Sequence, residues 1–169
     1  MKKFLCIVLA LLVAMNLLAC GAAENTNAYK FEYKFKEEYS EIDSVIASIF
    51  LNLVNGLIKI HSTALDIENL EVDNELNSFI SEHLDPLRDD VIKSPNNYTE
   101  KELEVLKHMM KIAATAGNIK LVKLEYASDK ANEKMGLKRK NTEEYYTEQL
   151  AKLKVEAEKL LEESKNFIE

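Results

Sequence analysis

The sequence predicts an all-α protein, an up-and-down bundle of about four antiparallel helices, and three observations carry that expectation. Apolar residues recur at alternating steps of three and four through four separate stretches, which lines them along one face of a helix. Only two prolines and four glycines occur in 169 residues, so little interrupts those stretches. No segment of about 20–50 residues repeats, and the short connections between stretches fold neighbouring helices back on one another.

The chain opens on Lys2 and Lys3, followed by the uncharged segment Phe4 to Leu18 and the small residue Ala19. Charge, apolar run and small residue in that order form an export signal over residues 1–19, and fifteen uncharged residues are fewer than the roughly 20 a spanning helix needs. The ending Leu17-Leu18-Ala19-Cys20-Gly21 resembles the lipobox of bacterial lipoproteins. That resemblance covers only the first eighth of the chain. It implies cleavage between Ala19 and Cys20, a diacylglyceryl group on the Cys20 thiol, and acylation of the new amino terminus. One acyl chain binds a membrane reversibly whereas two or more anchor stably, so the implied location is the cell membrane or outer membrane, facing the periplasm or exterior. Gly21 stands where such proteins often carry the aspartate that retains them at the inner membrane, which leaves the outer membrane open.

Cys6 falls in the signal and Cys20 would be blocked by lipid, so the remainder, residues 20–169, has no thiol left for a disulfide. The 22 lysines and arginines less Lys2 and Lys3 leave 20 basic against 29 acidic side chains, a net charge of −9, which disfavours nucleic acid. Residues 20–28 read as a short polar lipidated tether and residues 29–169 as a single helical domain. From Tyr29 to Lys36 aromatic and charged residues alternate. The alternation suits an extended arm, the spacing of Phe31, Phe35, Tyr39 and Ile42 suits an early helix, and the aromatic-lysine mixture suits a membrane interface. The residues alone leave all three open.

From Ser40 to about Ala64 the stripe is Ile42, Val45, Ile46, Ile49, Leu53, Leu57 and Ile60, widened by Phe50, Leu51, Val54 and Ile58 to most of the circumference. It predicts the central, most buried helix; a membrane span is disfavoured because Asn52, Asn55 and Gly56 interrupt a run that is already short. Leu65 to Asp73 reads as a solvated acidic connection. The second helix is expected from about Asn74 to Lys93, with Leu76, Phe79, Ile80, His83, Leu84, Leu87 and Val91 facing inward. Pro86 either kinks it or opens a new segment capped by Asp85.

Ser94-Pro95-Asn96-Asn97 is a turn, and Thr99 with Glu102 has capping-box spacing. The third helix then carries Leu103, Leu106, Met110, Ala113, Gly117, Leu121 and Leu124. The low bulk of Ala113 to Gly117 permits close approach of a neighbour. Gly117-Asn118 would alternatively end the helix, but the stripe keeps its phase and continuity to about Lys134 is expected, with Gly136 closing the segment. Asn141 is the expected cap of the last helix, whose stripe is Tyr146, Leu150, Leu153, Ala157, Leu160, Ser164 and Phe167. Packing along the bundle is expected there, with a dimeric coiled coil as the alternative.

Most catalytic templates are missing. No HExxH occurs, and Ile58, Ile80 and Val105 stand three residues before His61, His83 and His108, so the Glu-x-x-His of di-iron bundles is missing too. The glycines are isolated and form no phosphate-cradling loop. His108 beside Met109 and Met110, with Glu104 one turn earlier, offers haem- or copper-type ligands, but adjacent helical residues point about 100° apart. Packing is the better reading. Asp66 to Asp73 places oxygens at alternate positions without the turn glycine of a calcium loop, and Asp85, Asp89 and Asp90 have Arg88 to offset them. Lys134, Lys138, Arg139 and Lys140 gather positive charge before the last helix, for solubility or for anionic lipid or an acidic partner. The function expected is therefore a membrane-anchored, non-enzymatic binding or accessory module of adaptor, surface-interaction or immunity type, with an envelope protein as partner and no catalytic, cofactor or metal residue assigned. The alternative is a carrier or sensor holding a haem, metal or apolar molecule inside the bundle.

Overall fold

The computed structural model describes residues 34–169, and these form an all-α bundle of four helices. Helix α1 is Ser44–Thr63; α2 comprises Glu71–Phe79, a π turn Ile80–Leu84 and Asp85–Lys93; α3 is Glu100–Lys134; α4 is Glu143–Ser164. Contacts give the directions. Asp43 meets Glu102, Phe50 meets His108 and Thr63 meets Lys123, so α1 and α3 run the same way. Asp73 meets Lys123 while Gly117 lies beside Asn77, and Thr115 meets Glu156 while Tyr126 meets Tyr146, so α2 and α4 run oppositely to α3. The order is up, down, up, down, as the sequence predicts. Helices α1 and α3 touch each other, and each touches α2 and α4.

Helix α1 begins at Ser44 rather than Ser40, because Glu37–Tyr39 forms a 3₁₀ turn first and the Asp43 carboxylate then caps α1 by accepting from Val45 N at 2.8 Å. Phe50, Leu53, Val54, Leu57 and Ile60 are fully buried. By length and composition α1 is the one described helix apolar enough to cross a membrane; here it is the middle of the bundle. A Cβ added at Gly56 would lie 2.4 Å from Leu76 Cδ1, so the missing side chain is what lets α2 approach.

Three expectations for α2 are corrected. It begins at Glu71, three residues earlier than Asn74, and Asp73 is buried inside it instead of lying in a solvated connection. At Pro86 an α-helical segment does restart, Asp85–Lys93 with the proline in its first turn, but Leu84 and not Asp85 precedes it and no side chain caps it. Proline lacks an N–H and crowds the carbonyl four residues back, and the chain accommodates this with a π turn in which Asp85 N donates to Ile80 O. The wider turn shifts the phase by one residue, keeping Ile80 and Leu84 in the core and turning His83 out to solvent.

Helix α3 opens with the expected capping box, Thr99 Oγ1 accepting from Glu102 N and the Glu102 carboxylate from Thr99 N, and ends at Gly136, whose φ is +76°. It runs unbroken through Gly117. Its inner stripe, however, is Val105, Met109, Ile112, Ala116, Ile119, Lys123 and Tyr126, while Leu121 and Leu124 are 54% and 44% exposed. Among the described residues, the one non-helix atom within 4 Å of a Cβ at Gly117 is Asn77 Oδ1, at 3.9 Å. Gly117→Ala is therefore expected to stabilise the protein by about 0.5–1 kcal/mol, since alanine restricts the unfolded chain and favours helix. A lower midpoint in urea than the parent would contradict it.

Helix α4 is capped by Thr142, which accepts from Tyr145 N, and not by Asn141. Its stripe is the predicted one: Tyr146, Leu150, Ala157, Leu160, Ser164 and Phe167 are buried, and Leu153 is partly buried against the core. Beyond it the chain pairs with the start of the described region. Lys36 N donates to Phe167 O (2.9 Å) and Glu169 N to Lys34 O (3.0 Å) around an antiparallel Phe35–Ile168 bridge. Lys34 to Lys36 is thus a packed extended arm; Tyr29 to Tyr33 lie outside the described residues.

Candidate functional site

Ala19 and Cys20, the cleavage and lipid-attachment residues of the sequence reading, lie outside the described residues. The other candidate residues separate into three places in the bundle.

The first place is where the arm, α1, α3 and the C-terminus meet. Phe50 is fully buried and its ring lies 5.3 Å from Phe35, 5.6 Å from Phe167 and 6.0 Å from His108. Tyr39 packs on Phe167 and donates to a Glu104 oxygen at 3.1 Å, so Glu104 serves this cluster and not an ion at His108. His108 is 4% exposed, with Nε2 2.9 Å from Ser164 Oγ and Nδ1 3.7 Å from Glu163. Serine, histidine and glutamate side by side suggest a nucleophile, but Ser164 Oγ donates to Leu160 O at 2.8 Å and is fully buried. The serine proton is engaged, and the group is a packed polar knot.

His108 nevertheless sets a pH dependence. Burial pushes its imidazole below the ordinary value of 6.5, Lys111 adds to this, and Glu163 opposes it. Burial likewise lowers His61, which Lys154 lowers further and Glu158 opposes. Both rings take up protons more readily in the unfolded chain, so stability is complete above about pH 6.5 and falls as the pH drops below it. The thermal midpoint should decline between about pH 7 and 5, and His108→Asn should flatten that decline. Carboxylates act lower: Glu102 is raised by burial, but donors from Thr99 and Asp43 outweigh this and hold it below 4.5. A midpoint independent of pH over that window would contradict the assignment.

The second place is the opposite end of the α1–α3 contact. Lys123 and Asp73 are both fully buried and paired at 2.8 Å. Lys123 Nζ also donates to Thr63 O at 3.2 Å and Asn69 O at 2.9 Å, so one ammonium gathers the end of α1, the connection and the start of α2. Glu68 pairs with Lys130, and Asn69 Oδ1 accepts from Glu71 N. The acidic stretch Asp66 to Asp73 is therefore held by lysines of α3. Sequence reading missed this pair; the available signal was that Lys123 continues the four-three phase of Ile112, Ala116 and Ile119 to Tyr126.

The third place is the turn between α3 and α4. Asp129, buried, accepts from Lys140 N, Asn141 N and Tyr146 Oη at 3.1, 2.9 and 2.7 Å, and these donors, Tyr146 foremost, lower its pKa. Of the expected basic group, Arg139 pairs with Glu133 and lies over the Tyr126 ring, whereas Lys134, Lys138 and Lys140 are exposed. Met135 and Leu137 beside them are 67% and 59% exposed.

The histidines do not converge: His61, His83 and His108 lie on different helices, His83 stacks on Phe79, and Met109 is buried in the core while Met110 lies at its edge. Among the described residues no group of three or more His, Cys, Asp or Glu is arranged to hold a metal ion. Asp85 and Asp89 pair with Arg88 on the surface, and Asp90 accepts from Tyr98 Oη. No protein-family model, curated protein or solved structure matches the chain.

Proposed function

We propose that this chain is a bacterial envelope lipoprotein, held to a membrane by lipid on Cys20, whose helical bundle acts as a non-enzymatic binding or accessory module with an envelope protein as partner. The observation that carries the reading is the order Lys2-Lys3, uncharged Phe4 to Leu18, and Leu17-Leu18-Ala19-Cys20-Gly21. Charge, apolar length and a small residue before cysteine are what export and lipid transfer require together. The bundle fits the role of cargo on such an anchor. The described chain starts at Lys34, beside the C-terminal Glu169, so the lipid would lead into one end of the bundle through residues 21–33. Confinement to a membrane would raise the effective concentration of the bundle for neighbours in the same layer.

The test is Cys20→Ser in the full chain, read by membrane fractionation and intact mass. The parent should partition with membranes and carry the mass of residues 20–169 plus diacylglyceryl and acyl groups. The variant should lose the lipid mass and leave the membrane fraction. A variant equally membrane-bound, or a parent of unmodified mass, would overturn the reading.

A further inference from the structure

Helix α3 carries a second seam on the side away from the core. From Gly117 the positions 121, 124, 128, 131 and 135 follow at steps of four, three, four, three and four, and they hold Leu121, Leu124, Ser128, Ala131 and Met135. All five are exposed, Met135 to 67%. Four of the five are apolar, and Ser128 at the centre is small and uncharged. In the same phase toward the start of α3, Lys107 breaks the run with an exposed charge, while Leu103 and Met110 pack against the core and Asn77 of α2 lies beside Gly117. Cover ends there because α1 stops level with Lys123 and α2 starts level with it. Single exposed apolar residues are ordinary. A run that keeps heptad phase over four turns, with no charge at any seam position, is the pattern of a helix that meets another.

The flanking residues say which helix. Lys120, Ala127 and Lys134 border the seam on one side and Asn118, Glu125 and Asn132 on the other. In a parallel two-stranded coil the residue before each first seam position faces the residue five further on in the partner strand. A second copy in parallel would therefore set Lys120 opposite Glu125 twice, and the uncharged Ala127 opposite Asn132. An antiparallel copy pairing Leu121 with Ala131 would set Lys120 against Lys134 twice and Glu125 against Glu125, and one pairing Leu124 with Met135 would bring no opposite charges together. Neither Lys120 nor Glu125 has a salt bridge among the described residues, so both charges are available. Ser128 and Ala131, adjacent along the seam, allow close approach of the two backbones.

We propose that two copies of this chain associate in parallel through the outer seam of α3, from Leu121 to Met135. A seam of about four turns is smaller than a standard stable interface, and its central serine adds little apolar burial, so association in dilute solution would be weak. Two chains anchored in one membrane at the same end would meet in the same sense and at high effective concentration; this clause rests on the lipid-anchor reading, whereas the seam and its charges do not.

The test uses the full chain in intact cells. Leu121→Cys, Leu124→Cys, Ser128→Cys and Ala131→Cys are made singly, with Lys111→Cys and Lys152→Cys as exposed controls off the seam, and the unsubstituted chain gives the background from Cys6 and Cys20. Mild oxidation should yield a band of twice the chain's mass at the four seam positions and several-fold less at the controls. In the Leu124→Cys background, Lys120→Glu or Glu125→Lys alone should reduce the dimer band several-fold, and the two together should restore it. Equal bands at seam and control positions, no dimer band, a band of another mass, or indifference to charge reversal would overturn the proposal. Fractionation of the same cells keeps the two readings apart: a membrane-bound chain without dimer bands refutes the seam and leaves the anchor standing.

Discussion

Lys123→Met is expected to lower the unfolding free energy by about 3–5 kcal/mol, the range found when one partner of a buried ion pair is removed. Methionine fits the volume and the helix, so the loss isolates the charge. What remains is an Asp73 carboxylate with no exposed surface, whose Oδ1 already lacks a hydrogen-bond partner, together with two carbonyls, Thr63 O and Asn69 O, that lose their shared donor. Chemical denaturation followed by circular dichroism measures the effect. The companion variant Lys123→Met with Asp73→Leu removes both charges. It should recover most of the loss, because a buried pair replaced by apolar groups of similar volume is often neutral or stabilising; Thr63 O keeps its bond from Asp66 N, whereas loss of the Lys123 donor at Asn69 O keeps recovery incomplete. A single-variant loss under about 1 kcal/mol, comparable with an exposed pair, would show that Lys123 reaches water.

That pair also shows where sequence reading stopped. Heptad phase is counted on apolar side chains, and α3 offers two competing seams. The outer one, Leu103 through Leu124, is unbroken by charge; the inner one, Val105 through Tyr126, is interrupted at Lys123. A lysine counts against burial until its partner is known, and Asp73 stands fifty residues away in a stretch rich in other acids. The phase of α2 was hidden for a different reason: Pro86 announces a disturbance but not its form, a π turn, and His83 lies outside while Ile80 and Leu84 lie inside. Local chemistry was legible. The Thr99–Glu102 box, the Gly136 stop and the stripe of α4 from Tyr146 to Phe167 depend on neighbours within a turn or on one unambiguous face. The candidate residue best marked in the sequence, Cys20, rests on a motif resemblance and lies outside the described residues.

Phe50→Ala is expected to cost about 3–5 kcal/mol, as for other fully buried aromatic truncations, and to do so with a particular regional signature. Phe50 touches three rings that come from different parts of the chain: Phe35 of the N-terminal arm, Phe167 beyond α4, and His108 of α3. Beside Phe50, Phe35 meets the Tyr39 ring at 6.5 Å. The arm's backbone ties are the bonds Lys36 N to Phe167 O and Glu169 N to Lys34 O, and two hydrogen bonds near a chain end contribute only about 1 kcal/mol each net. Removing the Phe50 ring leaves Phe35 and Phe167 with Tyr39 as the ring they still share. The N–H groups of Lys36 and Glu169 should then exchange with solvent by local opening, well before the helices do. Leu150→Ala supplies the comparison, since Leu150 is equally buried but lies along α4, away from the termini; it should lower global stability and leave the exchange of Lys36 and Glu169 tied to it. The outcome decides which interaction closes the bundle at the end where Lys34 meets Glu169. Should Phe50→Ala destabilise without freeing those two amides ahead of the rest, the arm is held by its bridge to Ile168, and the aromatic cluster is core like any other.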